Sequence, residues 1–210
     1  MIPPHPPDAE LVVRTAAGDR GAFEALYARY APRIMAFIDH LLADRGAAED
    51  ATQETFVKVW RSARRFRPEA PFEPWLFRIA RHEAYDAARR RRPRPLSALA
   101  PAAEEAARAG EAPGSGARDR EARSAAVDDV MRGDGALAAT LRTAIAALSA
   151  PLREAFVLAR VLGRAHDEVA MLLGIPVGTV KSRLSAAEAE LRRRLAAWAP
   201  DAGDATGGAP

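Results

Sequence analysis

The side chains with usable chemistry in this sequence bind rather than break bonds. Cysteine is absent, which excludes disulfides, thiolate metal sites and cysteine nucleophiles. The 4 histidines, His5, His40, His82 and His166, are scattered, and none stands at metal-ligand spacing from another. No catalytic set, metal site or cofactor is expected. Cations beside aromatics are what the sequence offers instead: Phe72, Trp75 and Phe77 run into Arg78 and Arg81, and the same stretch closes on Arg89-Arg90-Arg91-Arg92. Cations follow phosphates, and aromatic faces or pockets take unstacked bases, so the mixture suits single-stranded nucleic acid. The consecutive arginines fan around a helix and suit phosphates better than one base. Trp75, at the head of an amphipathic helix, is expected to pack in the core.

A second set lies near the C-terminus. Glu168 to Leu184 has the form of a helix-turn-helix, with Ala170 where two helices cross closely, Gly174 at the left-handed end of the first helix, and Pro176 in the first turn of the second. Val177, Val180, Leu184, Ala187, Leu191, Leu195 and Trp198 recur at spacings of three and four and are expected to be buried. Thr179, Ser182, Arg183 and Ala186 then share an exposed face with Lys181 beside it. Such a helix fits the major groove, where Arg or Lys reaches guanine acceptors and Ser or Thr reaches base or backbone.

A third set is suited to protein. In Asp50-Ala51-Thr52-Gln53-Glu54-Thr55-Phe56-Val57-Lys58-Val59-Trp60, the residues Ala51, Phe56, Val59 and Trp60 are expected to face inward. Asp50, Gln53, Glu54, Val57 and Arg61 are left on an outer stripe of acid, amide and aliphatic character, a docking surface.

Helices must position all three sets. Phe23, Leu26, Tyr27 and Tyr30 keep the helical period, followed after Pro32 by Ile34, Phe37, Ile38 and Leu41. A third pattern runs from about 47 to 66, a proline-marked loop covers 67–74, and a fourth helix starts near Trp75. Residues 93 to about 136 turn to alanine, glycine, proline and charge without aromatics, which reads as a linker between two units. Helical spacing resumes at Leu137, Leu141, Ile145 and Leu148, and strand periodicity is lacking. The expected class is all-α: two small helical domains, over 10–94 and 138–198, joined by a flexible acidic linker (95–137), with disordered tails at 1–9 and 199–210. Residues 58–94 carry a net +8 and residues 141–198 a net +4, against −3 for 95–140. Two basic blocks around an acidic one suggest two contacts with a polyanion and a different task between them. No run approaches 18 apolar residues and the proline-rich start is unlike a signal peptide, so a soluble cytoplasmic protein without membrane insertion is expected.

Asp50 to Phe56 with Trp60, then Phe66-Arg67-Pro68-Glu69-Ala70-Pro71-Phe72 and Trp75-Leu76-Phe77-Arg78-Ile79-Ala80-Arg81, resemble region 2 of the extracytoplasmic-function RNA polymerase sigma factors. Ile175 to Leu184 is similar to their region 4. The resemblance covers roughly residues 10–92 and 138–197, in the family's order. It implies a promoter-recognition subunit of RNA polymerase rather than an enzyme. Asp50, Gln53, Glu54, Val57 and Arg61 would dock on the polymerase β′ subunit, with further contact to β. Arg67, Glu69, Phe72, Arg78, Arg81, Arg89, Arg90 and Arg91 would recognise and hold the melted non-template strand of the −10 element. Thr179, Lys181, Ser182 and Arg183 would read the −35 duplex. The linker would thread toward the active-centre cleft, and an anti-sigma factor is a common further partner in the family.

The sequence departs from the family's pattern at three places. Ala186 and Glu188 stand where many members carry arginine, which points to a different or weaker −35 preference. Ala165 replaces a common Ser or Thr cap, a loss of about 1 kcal/mol, although Asp167 could cap a slightly later start. Arg164-Ala165-His166-Asp167 is more polar than the usual segment, which bears on contact with the β flap or a regulator. The competing readings are a helix-turn-helix activator or repressor, which does not account for the stripe, the proline–aromatic loop and the arginine run, and a helical enzyme acting on nucleic acid, which no residues support.

Overall fold

The computed structural model describes residues 6–91 and 135–196, and among these every regular element is helical. The N-terminal unit comprises α1 (Asp8–Ala16), α2 (Arg20–Leu42), α3 (Arg45–Ser62), a 3-10 turn (Ala63–Arg65) and α4 (Phe72–Arg91). The C-terminal unit comprises α5 (Ala136–Ala146), α6 (Ala150–Phe156) running into a π-turn (Val157–Val161), α7 (His166–Leu173) and α8 (Val177–Ala196). The acidic linker, Arg92 and the two chain ends lie outside the described residues.

Local chemistry sets the helix ends. Asp19 caps α2 by accepting from Ala22 N at 3.1 Å, and Asp44 caps α3 by accepting from Ala47 N at 2.9 Å. Ala43 ends α2 at φ 52°, a left-handed conformation that costs a residue with a Cβ. Pro32 does not divide α2, which continues through it to Leu42. A mid-helix proline removes one backbone bond and crowds the preceding turn. Burial of Leu26, Tyr30, Ile34, Phe37, Ile38 and Leu41 along one face keeps both halves of the helix on one core.

Several boundaries differ from expectation. Helix α1 begins at Asp8, not after residue 9, because Asp8 is pinned by Arg29 and Tyr30 of α2. Burial and the Asp8 carboxylate push the Tyr30 phenol well above its ordinary value, so it stays a donor. Helix α4 begins at Phe72 rather than Trp75, and α5 begins two residues ahead of 138. Asp167 does not cap α7, whose cap position is Ala165. Glu168 Oε2 instead accepts from Ala165 N at 2.9 Å, the one half of a capping box that an alanine allows.

The two units are in contact. Helix α4 packs against α7, α2 packs against α5 and the π-turn, and one continuous buried cluster runs through both units. The two helical domains that the linker composition predicts are both present, and their helices pack against each other.

Candidate nucleic-acid interface

In the loop before α4, Phe66, Phe72 and Trp75 form a ring cluster, with centroids 5.9 Å apart for Phe66–Phe72, 5.3 Å for Phe66–Trp75 and 5.8 Å for Phe72–Trp75. Tyr30 adds an edge contact to Phe72 at 5.2 Å. Phe72 is only 4% exposed, so its ring supports the loop from beneath and is not free to receive a base in this form. Trp75 packs as expected, with part of its surface open. Phe77 is buried against Phe37.

The charged residues lie outside this cluster. Arg67, Glu69, Arg78, Arg89 and Arg90 are exposed, and Ala70 N donates to Arg67 O at 2.9 Å to close the loop turn. Arg89 pairs with Asp86 on its own helix, holding that carboxyl below the usual range. Arg91 ends α4. A cleft of about 480 Å³ opens between loop and α7, with Arg65, Arg67, Arg78 and Arg81 on one wall and Met171 and Gly174 on the other. Of these arginines, Arg65, Arg67 and Arg78 have no acidic partner among the described residues; Arg81 faces Glu154 at 3.5 Å. Gathered unpaired guanidinia beside an aromatic wall make a positive field suited to phosphates.

Behind the cleft, α3 and α4 are tied by Lys58 and Glu83, the latter 3% exposed. Asp50, Gln53, Glu54, Val57 and Arg61 are all exposed along α3. Trp60 is not inward: it is 37% exposed and stands edge-on to Phe23 at 5.2 Å. Its spacing, three residues after Val57 and seven after Gln53, puts it at the edge of the outer stripe. That spacing was the missed signal. Tyr27, also exposed, meets Phe56 edge-on at 4.8 Å and borders a groove of about 320 Å³ reaching Pro32, Met35, Thr52 and Gln53. The stripe is thus an acidic and amide row with aromatic margins.

The helix-turn-helix forms as its sequence requires. Gly174, at φ 68°, takes the left-handed end of α7, and α8 starts right after Pro176. The face of α8 is rotated from expectation. Ser182 is 8% exposed and its hydroxyl donates to Thr179 O at 3.0 Å, while Thr179 and Arg183 are half-buried. Val177, expected inside, is 40% exposed. The open side carries Val177, Gly178, Lys181 and Ser185. Ser185, one turn after Lys181, was missed because the apolar series fixed angles around the helix but not which flank its neighbours cover.

Glu188 sits at the margin of this open side. Its Oε1 accepts from Arg160 Nε at 2.8 Å and is also 2.8 Å from Arg160 Nη2. Arg160 belongs to the π-turn, whose wider ring is closed by Leu162 N donating to Val157 O at 2.8 Å. The negative charge expected to weaken DNA contact is therefore largely neutralised within the unit and brackets α8 to the π-turn.

Comparison with known proteins shows the family. Residues 26–94 match Sigma-70 region 2 and residues 138–191 match Sigma-70, region 4. The RNA polymerase sigma factor CarQ of Myxococcus xanthus is 35% identical over 178 residues, covering 85% of this chain and 91% of that protein. The chain belongs to the extracytoplasmic-function sigma factors. The RNA polymerase sigma-H factor of Pseudomonas aeruginosa is 32% identical over 90% of this sigma factor and 93% of its own length. Among solved structures, CnrH in complex with the cytosolic domain of CnrY is similar at TM-score 0.60 and 28% identity, covering 90% of this chain and 97% of that one. The sigma factor RpoE of Bartonella quintana, in complex with the anti-sigma factor NepR, is similar at 0.56 and 26%, covering 83% and 96%. As a sigma factor, the protein directs promoter-specific initiation by RNA polymerase. Among the described residues, no helix of the sigma factor is long and apolar enough to cross a membrane.

Proposed function

We propose that the work of initiation is divided among three surfaces of this sigma factor. The stripe Asp50, Gln53, Glu54, Val57 and Arg61, with Trp60 and Tyr27 at its margins, docks on the β′ subunit of core RNA polymerase. The loop at Arg67 and Glu69, with Arg78, Arg81, Arg89, Arg90 and Arg91 of α4, recognises and holds the non-template strand of the −10 element as it melts, while Phe72 fixes the loop from below. The open side of α8, Lys181 and Ser185 with Thr179, Ser182 and Arg183 on the adjoining flank, reads the −35 duplex. The N-terminal unit, the acidic linker and the C-terminal unit are the functional divisions.

The observation that carries this reading is the direct packing of α3 on α4, joined by Lys58 and Glu83. The acidic and amide stripe and the arginine wall of Arg65, Arg67 and Arg78, without ion pairs among the described residues, thereby occupy one unit, so docking on polymerase positions the strand-capture surface. Strand separation costs stacking and pairing energy, and capture of unstacked bases offsets it. The sigma factor performs no bond chemistry: phosphodiester synthesis belongs to the core enzyme, and the place of work is the cytoplasm. The solved relative bound to an anti-sigma factor supports a partner of that kind here as well.

The test is reconstitution with core RNA polymerase, followed by promoter selection and run-off transcription. Initiation at selected promoters, lost on Asp50→Lys/Glu54→Lys and on Arg78→Ala, is expected. Binding to a palindromic duplex with no transcription would instead indicate a free-standing activator or repressor.

A further inference from the structure

The cleft between the loop and α7 carries more than a strand-capture surface needs. Its cationic wall is built on fixed elements: Arg65 stands in the 3-10 turn, Arg67 in the loop, and Arg78 and Arg81 one turn apart on α4. Pro71 and Pro74 stiffen the loop, and the rings of Phe66, Phe72 and Trp75 hold it from beneath. Among the described residues no carboxylate lines the cleft. Groups already in place when a ligand arrives lose less freedom on binding it.

The opposite wall is apolar. Met171 is 58% exposed, with Leu172 and Leu173 beside it. Gly174 leaves the rim open, with nothing within 4 Å of where a Cβ would stand. Trp75, half-buried, contributes its remaining open surface to the same space. An indole and a flexible thioether suit a flat ring. The volume, about 480 Å³, falls in the range of small-molecule sites.

Charge selects the kind of ligand. Each nucleotide of a strand brings a single negative charge. Arg65, Arg67 and Arg78 have no acidic partner among the described residues, and Arg81 adds a cation that Glu154 meets at 3.5 Å. The unmatched guanidinia gathered in one concavity therefore exceed what one strand nucleotide neutralises. A nucleoside diphosphate carries about three charges, most of them on its terminal phosphate. Guanidinium forks take phosphate oxygens in pairs.

We propose that this cleft binds a free nucleoside polyphosphate, with its phosphates on Arg65, Arg67 and Arg78 and its base against Trp75 and Met171. Arg67 and Arg78 also belong to the strand-capture surface, so nucleotide and promoter strand compete for them. The site rests on the cleft alone; the competition also rests on the assignment of the loop and α4 to strand capture.

Isothermal titration of the full chain with ADP, magnesium being chelated, tests the site. ADP should bind at least tenfold more tightly than AMP, and at least tenfold more tightly than pyrophosphate. Arg67→Ala/Arg78→Ala and, separately, Met171→Glu should each weaken ADP at least tenfold, with helix content by circular dichroism unchanged. Met171 is exposed, so its variant decides the matter if the arginine pair fails to fold. No ADP binding at millimolar concentration, or full affinity in the folded variants, overturns the site. Pyrophosphate binding as well as ADP overturns the place of the base, and AMP binding as well as ADP overturns the charge match. ADP should also displace a fluorescent random-sequence 20-nucleotide single strand. ADP binding without displacement overturns the competition and leaves the site, whereas ADP binding in a chain that takes no strand overturns strand capture instead.

Discussion

The hydroxyl of Tyr85 donates to Glu154 Oε1 at 2.6 Å, joining side chains 69 residues apart in sequence and in different units. Burial, then the Glu154 charge, push the phenol far above its ordinary value of 10.0. The unfolded chain loses this proton as pH rises through about 10, whereas the folded chain keeps it, so stability is full below pH 10 and falls above it. Tyr85→Phe is expected to cost about 1 kcal/mol near neutrality. It should also remove up to one proton, about 1.4 kcal/mol per pH unit, from the alkaline slope. Urea unfolding between pH 8 and 11 measures both.

Reversing the charge of the exposed stripe should act on binding rather than folding. Asp50→Lys/Glu54→Lys is expected to weaken association with core RNA polymerase at least tenfold and to leave stability within about 0.5 kcal/mol, since both side chains are exposed and neither has a partner to lose among the described residues. Competition for core against the parent chain, alongside thermal melting, gives the two readings.

On the open side of α8, Lys181→Ala should weaken binding to a −35 duplex and reduce the slope of log affinity against log salt by about 1 if the side chain meets a phosphate. A loss of sequence discrimination without a change of slope would place it on a base edge instead. Titration at several salt concentrations separates the two.

Glu188 serves as a bracket to Arg160, so Glu188→Arg should not simply add a DNA contact. It is expected to destabilise the C-terminal unit by about 1–2 kcal/mol, because Arg160 then faces like charge. A rise in stability on this substitution would show that the bracket is idle. Differential scanning calorimetry of the full chain provides the measurement.

Ala43 holds a left-handed backbone at the end of α2. Ala43→Gly relieves that conformation and is expected to stabilise the protein by about 0.5–1 kcal/mol after the extra freedom of the unfolded glycine is counted. The urea midpoint should rise with no change in slope.

The sequence by itself determined the all-α class, the helix-turn-helix and which residues share a flank of each helix. These are local facts: apolar spacing near 3.6 defines a helix, Gly174 and Pro176 fix a turn within a few residues, and Asp50, Gln53, Glu54, Val57 and Arg61 share a flank whatever the rest of the chain does. Tertiary structure decided which flanks are open. A helical pattern gives relative angles but not what neighbouring helices cover, which is why Trp60 and Val177 came out exposed, Ser182 buried, and Phe72 beneath its loop. It also decided that the halves close. Arg153 reaches Leu41 O across 112 residues and Glu154 meets Tyr85 and Arg81 on the other unit; contacts at such separations leave no periodic trace in the sequence.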